Sequence, residues 1–377
     1  MKVLNILYRV MPSGAEKMLA DAAELFKEVG VEGWILANDV EEGEYAPVLR
    51  KKGYKIVRIP WCNNRSHLIE FWKLCRREKF DAVHIHVIRG YTSFTIVAKL
   101  AGVKTVVKTF HGIFAARDSL RWLVHSGKRL VARIFGAKMV AISRSVQENE
   151  SRIFWNKCCL VWNFTDETGF PLADANIGLD MRKNLGISED AFVLLTVGNC
   201  HSASHYEVKN HSLLIRAIAY LPDCVKRQIV YVHVGAELEG CPERKLAEEL
   251  GVKPYIKFLG SRHDVHNLLC AADVYVMSSL HEGLGISTIE AAFTGREMIL
   301  TNVQGLRDFG EVVKQGITYC DLTPESMACA IQEKIGVLRQ HPQSKSILSG
   351  MSSIREDALA TFSMKSGVSE LVRLYQG

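Results

Sequence analysis

Glu282 and Glu290 stand eight positions apart in the run Ser278-Ser279-Leu280-His281-Glu282-Gly283-Leu284-Gly285-Ile286-Ser287-Thr288-Ile289-Glu290. A glycine-rich turn separates them, and an apolar helical pattern begins after it. A helix over 284–294 leaves Glu282 on the preceding loop and carries Glu290 about two turns inside. Backbone N–H groups of Gly283, Leu284 and Gly285 then point outward at the helix N-terminus, where an anion or a hydroxyl meets unused donors. Carboxylates for hydroxyls beside N–H groups for phosphate suit a phosphorylated sugar held at both ends. A surface turn with incidental acids is the competing reading, and it gives no reason for the paired glycines.

The same run resembles the E-x7-E signature of retaining glycosyltransferases of the two-Rossmann-domain (GT-B) type, in particular glycosyltransferase family 4 of the bacterial surface-polysaccharide kind. Ser279, Glu282, Gly283, Gly285, Glu290, Ala291 and Gly295 fall in register with the family's S-x-x-E-G-F-G-x-x-x-x-E-A-x-x-x-G pattern, with Leu284 where Phe is common. The resemblance implies that Glu290 accepts from the donor's ribose hydroxyls and that Glu282 contacts the transferred sugar. It also implies Arg and Lys on the donor diphosphate. Lys209, in Lys209-Asn210-His211, fits the second position, whereas Gly198-Asn199 has a neutral amide where the family has Arg. His201, His205 or another cation would have to replace that charge. Arg262, in Leu259-Gly260-Ser261-Arg262, matches a further segment near the nucleotide.

In the first half, Pro12-Ser13-Gly14-Ala15-Glu16 resembles the family's G-G-A-E loop, with Gly14 letting backbone approach a diphosphate or acceptor closely. A plain strand-to-helix turn explains it equally well. His111, in Thr109-Phe110-His111-Gly112, ends a strand where the family places a histidine on the transferred sugar or its phosphate. His84 and His86 alternate along one strand and share a face; with no third ligand evident, polar packing is the better reading than a metal.

Residues 117–136 read as an amphipathic helix in which Arg121, Lys128, Arg129 and Arg133 accompany Trp122 and several aliphatic residues. Basic helices with aromatic edges bind anionic membrane surfaces reversibly; a core helix with a charged outer face is the alternative. Residues 1–165 carry 27 Lys+Arg and 15 Asp+Glu, a net +12, and the remainder carries 20 and 26, a net −6, giving the overall +6. That split points the first half at an anionic partner. No aromatic-plus-basic nucleic-acid module is present.

Short β-branched runs alternate with helical patterns through both halves, the arrangement of parallel sheets covered on both faces. Strands are expected at Val3–Tyr8, Gly33–Ala37, Lys55–Ile59, Ala82–His86, Thr105–Thr109 and Met139–Ile142, and then at Phe192–Val197, Ile229–Val234, Tyr255–Leu259, Val274–Met277 and Met298–Thr301. The expected architecture is α/β, GT-B, with two Rossmann-like domains facing across a cleft. Residues 1–165 form the acceptor domain and 166–352 the nucleotide-sugar domain; a helix at about 353–377 packs back on the first. No apolar run approaches the roughly 20 residues of a membrane span. Ten cysteines without paired spacing or an export signal read as reduced thiols of a cytoplasmic protein, peripheral on the inner membrane face if the basic helix binds there.

The expected activity is retaining transfer of a hexose from a nucleotide-sugar, UDP-sugar favoured, to a saccharide or lipid-linked acceptor in surface polysaccharide synthesis. No cofactor is expected: there is no D-x-D to hold a metal-bound diphosphate, and no zinc-ligand spacing. A catalytically silent sugar-nucleotide-binding relative is the reading that Asn199 keeps open. A sugar-nucleotide epimerase or a phosphorylase can share the fold but leaves the E-G-L-G-x4-E run unexplained.

Overall fold

A computed structural model describes residues 1–62, 65–114, 118–200, 208–237, 240–340 and 345–377. The chain divides into a unit of Met1–Asp166 with Phe362–Gly377 and a unit of Glu167–Thr361.

The first unit is built on a seven-stranded sheet: β1 (Lys2–Leu7), β2 (Glu32–Ala37), β3 (Lys55–Arg58), β4 (Ala82–Ile85), β5 (Thr105–Phe110), β6 (Ala137–Ala141) and β7 (Cys159–Leu160). Their spatial order is β3-β2-β1-β4-β5-β6-β7, every neighbouring pair parallel. The second unit has six strands: β8 (Phe192–Val197), β9 (Ile229–Val234), β10 (Ile256–Phe258), β11 (Val274–Met277), β12 (Glu297–Thr301) and β13 (Ile317–Cys320). Their order is β10-β9-β8-β11-β12-β13, again parallel throughout. The two orders are one Rossmann pattern used twice. Each reverses direction once, between β1 and β4 in the first sheet and between β8 and β11 in the second, and ligands of such sheets bind beyond the strand carboxyl ends at that reversal.

Central strands β5 and β11 are buried at every position, as helices on both faces require; β11 is apolar throughout, whereas β5 carries Lys108 and Thr109 into the interior. All eleven expected strands are present within one or two residues. The two that the sequence reading lacks, β7 and β13, are short edge strands of two and four residues.

The expected closing helix is in fact two helices, Lys345–Phe362 and Met364–Gln376, separated at Ser363, whose extended backbone bridges to Thr165. The second packs against β5 and the helix Ala23–Glu28, and Phe362, the last residue of the first, meets the Trp162 ring edge-on. Gly367 sits so close to the Phe164 ring that no Cβ would fit there. Among the described residues no helix is long and apolar enough to cross a membrane.

Candidate active site

The loop after β11 and the helix that follows it form the centre of the candidate site. The helix is Ile286–Phe293, starting two residues later than expected. Gly285 adopts φ +81 at its start, a left-handed turn open to glycine, and Leu284 is fully buried beneath it. The turn is compact because Gly305 lies against the carbonyls of Glu282 and Gly283 at distances a Cβ could not tolerate. Glu290 is buried, 4% exposed, on this helix.

Glu282 does not stand alone. Lys209 Nζ lies 2.7 Å from its Oε2, and the Gly283 N–H donates to its Oε1 at 3.2 Å. Ser279 Oγ donates to Oε2 at 3.4 Å. Lys209 comes from the segment between β8 and the helix His211–Tyr220. That segment is pinned to the β11 loop by Ser278 Oγ donating to the Lys209 carbonyl at 2.9 Å and by Leu280 N–H donating to the Val208 carbonyl at 2.8 Å. Two segments about seventy residues apart in sequence thus deliver an ammonium and a carboxylate to the reversal point of the second sheet. Tyr275, on β11, donates its hydroxyl to Ser287 Oγ at 2.9 Å, on the helix that carries Glu290. Burial raises the pKa of Tyr275, and the charges of Glu282 and Glu290 add to the rise.

Asn199 turns its amide oxygen toward the loop after β9, accepting from the Ala236 N–H at 2.8 Å. It therefore holds loops together at the end of β8. Arg262 is exposed and engaged by Asp264, two residues along, through bonds of 2.8 and 2.6 Å. His201 and His205 lie outside the described residues.

In the first unit, Gly14 opens the helix Gly14–Asp21, with Ser13 as its extended N-cap and Ser13 Oγ donating to Glu16. Glu16 is buried, which raises its carboxyl pKa. His111 follows β5 and belongs to a cluster that the sequence reading did not assemble. Its Nε2 is 3.0 Å from His86 Nδ1, and the two rings stack. His84 packs on His86 with centroids 4.0 Å apart. One nitrogen of His84 meets Tyr375 of the closing helix and the other Thr109, both at 2.7 Å. Lys108 Nζ is buried at the base of this cluster among the carbonyls of Thr109, His86 and Ile85. Desolvation and Lys108 hold His111 down to about 3, and burial brings Lys108 itself down to about 7. At neutral pH the cluster is a set of neutral imidazoles able to donate and accept hydrogen bonds.

The basic helix spans Ser119–Ile134, and Arg117 lies outside the described residues. Lys128 and Arg133 are exposed, as is Arg121, which stands 3.3 Å from Asp118. Leu120, Leu123, Leu130 and Ile134 are exposed beside them. Arg129 does not belong to this face. It is buried, its Nε and Nη2 each donating at 2.6 Å to the two oxygens of Glu150, its Nη1 donating to the His125 carbonyl, and its plane lying 3.8 Å from the Phe154 centroid. Helical periodicity turns residue 129 inward, where Glu150 compensates it. Trp122 is also less open than expected, because its indole N–H donates to the Ile153 carbonyl and its ring meets Trp155 edge-on. Trp155, which the sequence reading did not single out, is the more exposed aromatic at 72%.

A family model described as Glycosyltransferase Family 4 matches residues 12–167, and one described as Glycosyl transferases group 1 matches residues 191–336. The chain is 31% identical over 260 residues to the UDP-Gal:alpha-D-GlcNAc-diphosphoundecaprenol alpha-1,3-galactosyltransferase of Escherichia coli, spanning 66% of this chain and 64% of that relative. It thus spans somewhat under two thirds of that relative's length. It is 22% identical to the GDP-mannose:cellobiosyl-diphosphopolyprenol alpha-mannosyltransferase of Komagataeibacter xylinus, across 100% of this chain and 93% of that one. Among solved structures, HepE of Anabaena in complex with UDP superposes with a TM-score of 0.80 over 99% of each chain at 18% identity, a likeness of fold. Each half of the chain is matched by a glycosyltransferase model, and the chain belongs to glycosyltransferase family 4, with the GT-B fold.

Proposed function

We propose that this protein transfers a hexose, with retention of anomeric configuration, from a UDP-sugar to a saccharide or lipid-linked acceptor of surface polysaccharide synthesis. The observation that carries the reading is the Lys209–Glu282 pair at the reversal point of the second sheet, 2.7 Å between Nζ and Oε2. Before donor arrives, each charge compensates the other. A bound diphosphate competes for Lys209, and Glu282 is then released to accept from sugar hydroxyls and to stabilise positive charge developing at the anomeric carbon. Glu290 accepts from the ribose hydroxyls. As the bond from the anomeric carbon to phosphate oxygen breaks, negative charge grows on the leaving diphosphate, where Lys209 and the N–H groups of Gly283 and Leu284 stabilise it. The acceptor oxygen bonds to the anomeric carbon from the same face, and its proton passes to the departing phosphate oxygen. The residues assigned to this step include no protein nucleophile.

His111 and Gly14 we assign to saccharide contacts of the first unit; a neutral imidazole suits an uncharged sugar. The choice of UDP and of a lipid-linked acceptor is supported by the Escherichia coli relative, named for UDP-galactose and a diphosphoundecaprenol acceptor, and by the UDP bound in HepE.

Calorimetric titration with UDP, GDP and ADP tests the donor half. UDP binding is expected to be the tightest, weakened by Glu290→Ala and retained in Glu282→Ala, whose turnover falls. Equal affinity for all three nucleotides, or parental turnover in both variants, would overturn the assignment.

A further inference from the structure

The second unit holds a cluster that the proposed transfer does not use. Cys200, just beyond β8, His211, the first residue of its helix, and His233, near the end of β9, are 1%, 3% and 0% exposed. Each offers a ligand atom, and these atoms all lie within 4.8 Å of one another. Cys200 Sγ stands 3.5 Å from His233 Nε2. A tetrahedral zinc ion, with bonds of about 2.3 Å to sulfur and about 2.0–2.1 Å to nitrogen, sets its S···N ligand edges at about 3.6 Å. The thiol and imidazole therefore already stand at the spacing such an ion requires.

The imidazoles supply the second observation. Both ring nitrogens of His211 and Nδ1 of His233 are buried without a hydrogen bond. The Gly198 and Asn199 carbonyls approach His211, and the Gly198 carbonyl approaches His233, without reaching hydrogen-bond geometry. A proton on one nitrogen of each ring, directed at those carbonyls, leaves the other nitrogen with a lone pair facing the cluster. Metal-bound histidines are oriented in this way, the far N–H toward a backbone carbonyl. The backbone around Cys200 is fixed by its own N–H, donating to the Ala236 carbonyl at 2.9 Å, and by Ala236 donating back to Asn199.

We propose that Cys200, His211 and His233 bind a zinc-class divalent cation. A thiolate with two imidazoles favours such a borderline-soft ion over magnesium or calcium, which take oxygen ligands. Binding displaces the proton of the Cys200 thiol, so ion and thiolate together contribute one net positive charge. That charge is adjacent to Asn199, and His211 stands two residues from Lys209. Resting on the donor site proposed above, the ion supplies the cation that Asn199 does not, and it fixes both ends of the segment that carries Lys209.

The test uses the full-length protein stripped with a chelator and titrated with cobalt(II) as a spectroscopic stand-in. Thiolate-to-cobalt charge transfer in the near ultraviolet, with the visible bands of tetrahedral cobalt, is expected to saturate at one ion per chain. Both should vanish in Cys200→Ser and His233→Gln and persist in Cys270→Ser, which removes another buried thiol, one that contacts His266 at 3.6 Å. Circular dichroism establishes that the variants fold. A zinc-dependent rise in melting temperature of the unaltered protein, reversed by chelator, gives a readout that needs no variant. Absence of both the thiolate band and the zinc shift, or an undiminished band in folded Cys200→Ser, overturns the site. UDP affinity is expected to weaken several-fold on chelation. With the band present and UDP affinity unchanged by chelation, the metal site stands and its link to the donor falls.

Discussion

The two units each contain a close cation–carboxylate pair, and the pairs differ in what water and ligands can reach. Arg129 and Glu150, in the first unit, have side chains 4% and 0% exposed; Lys209 and Glu282, in the second, are 23% and 15% exposed. Arg129 spends its fork on Glu150, a third nitrogen on the His125 carbonyl and its face on Phe154. Asn156 completes the arrangement by donating to Glu150 at 2.7 Å. Among the described residues Lys209 Nζ bonds only to Glu282 and keeps protons for a ligand. Both cations look functional in the sequence, one in an amphipathic basic run and one at a motif position. Burial separates them: a fully desolvated, bidentate pair fixes helices to each other, whereas a half-open single contact can exchange partners.

The sharpest break between the pairs is expected in stability. Arg129→Ala leaves Glu150 buried without its partner and should cost about 3–5 kcal/mol in urea unfolding. Replacing both members, with Arg129→Met and Glu150→Leu, should recover much of that loss because no charge is stranded. A cost below about 1 kcal/mol for Arg129→Ala would show that the pair does not hold these helices together. Lys209→Ala reverses the pattern. Turnover with a UDP-sugar should fall about 100- to 1,000-fold, equivalent to about 2.7–4 kcal/mol of lost transition-state stabilisation. Its unfolding free energy should change by less than about 1 kcal/mol, since the pair is partly solvated. Turnover within a few-fold of the parent would remove Lys209 from the chemistry.

The contrast also marks what the sequence makes legible. Strands such as β8 and β11 are nearly continuous apolar runs, so their positions follow from composition and period alone. β7 has only two residues, and β13, at an edge, is buried only at Cys320, so neither shows an apolar run. The E-x7-E run places Glu282 and Glu290, but its helix begins after Gly285 because Leu284 is drawn into the core. The pairing of Lys209 with Glu282 joins residues 73 apart, and that of Arg129 with Glu150 joins residues 21 apart. Neither spacing belongs to a local motif, so which charges meet depends on strand order. The same holds for Cys200, His211 and His233, whose intervals match no metal-ligand pattern until β8 and β9 pair in parallel.

The first unit keeps its polar cluster uncharged by burial, so its stability should depend on pH. His84 and His86 are held well below the usual imidazole range, by burial first and then by neighbouring positive charge, and His111 is held down to about 3. Below about pH 6.5 the unfolded chain takes up protons that the folded cluster refuses. Stability is therefore fully present above 6.5 and lost as pH falls, at up to about 1.4 kcal/mol per pH unit for each histidine. Lys108 acts in a separate window: with its folded value at about 7 against an ordinary 10.5, it should add stability as pH rises between those values. His86→Gln should flatten the lower window and Lys108→Met the upper. Calorimetric melting across pH 4.5–9.5 reads both, and identical pH profiles in parent and variants would refute the neutral-cluster account.

The smallest expected effects separate cations within one helix. We propose that the exposed side of Ser119–Ile134, with Lys128, Arg133 and Arg121 beside Leu123, Leu130 and Ile134, touches anionic membrane surfaces, with Trp122 held behind Trp155. Each basic residue near such a surface contributes about 1 kcal/mol. Lys128→Ala and Arg133→Ala together should therefore weaken sedimentation with phosphatidylglycerol vesicles by about 2 kcal/mol without lowering the melting temperature. Raising salt should erase most of the difference, because the attraction decays over a Debye length. Arg129, two-fold hydrogen-bonded to Glu150 and out of contact with solvent, contributes none of this binding. The Arg129→Met, Glu150→Leu protein, if folded, should bind vesicles as the parent does. Equal sedimentation of the parent and the Lys128, Arg133 variant would leave the helix with a packing role alone and assign its exposed charges to solvation.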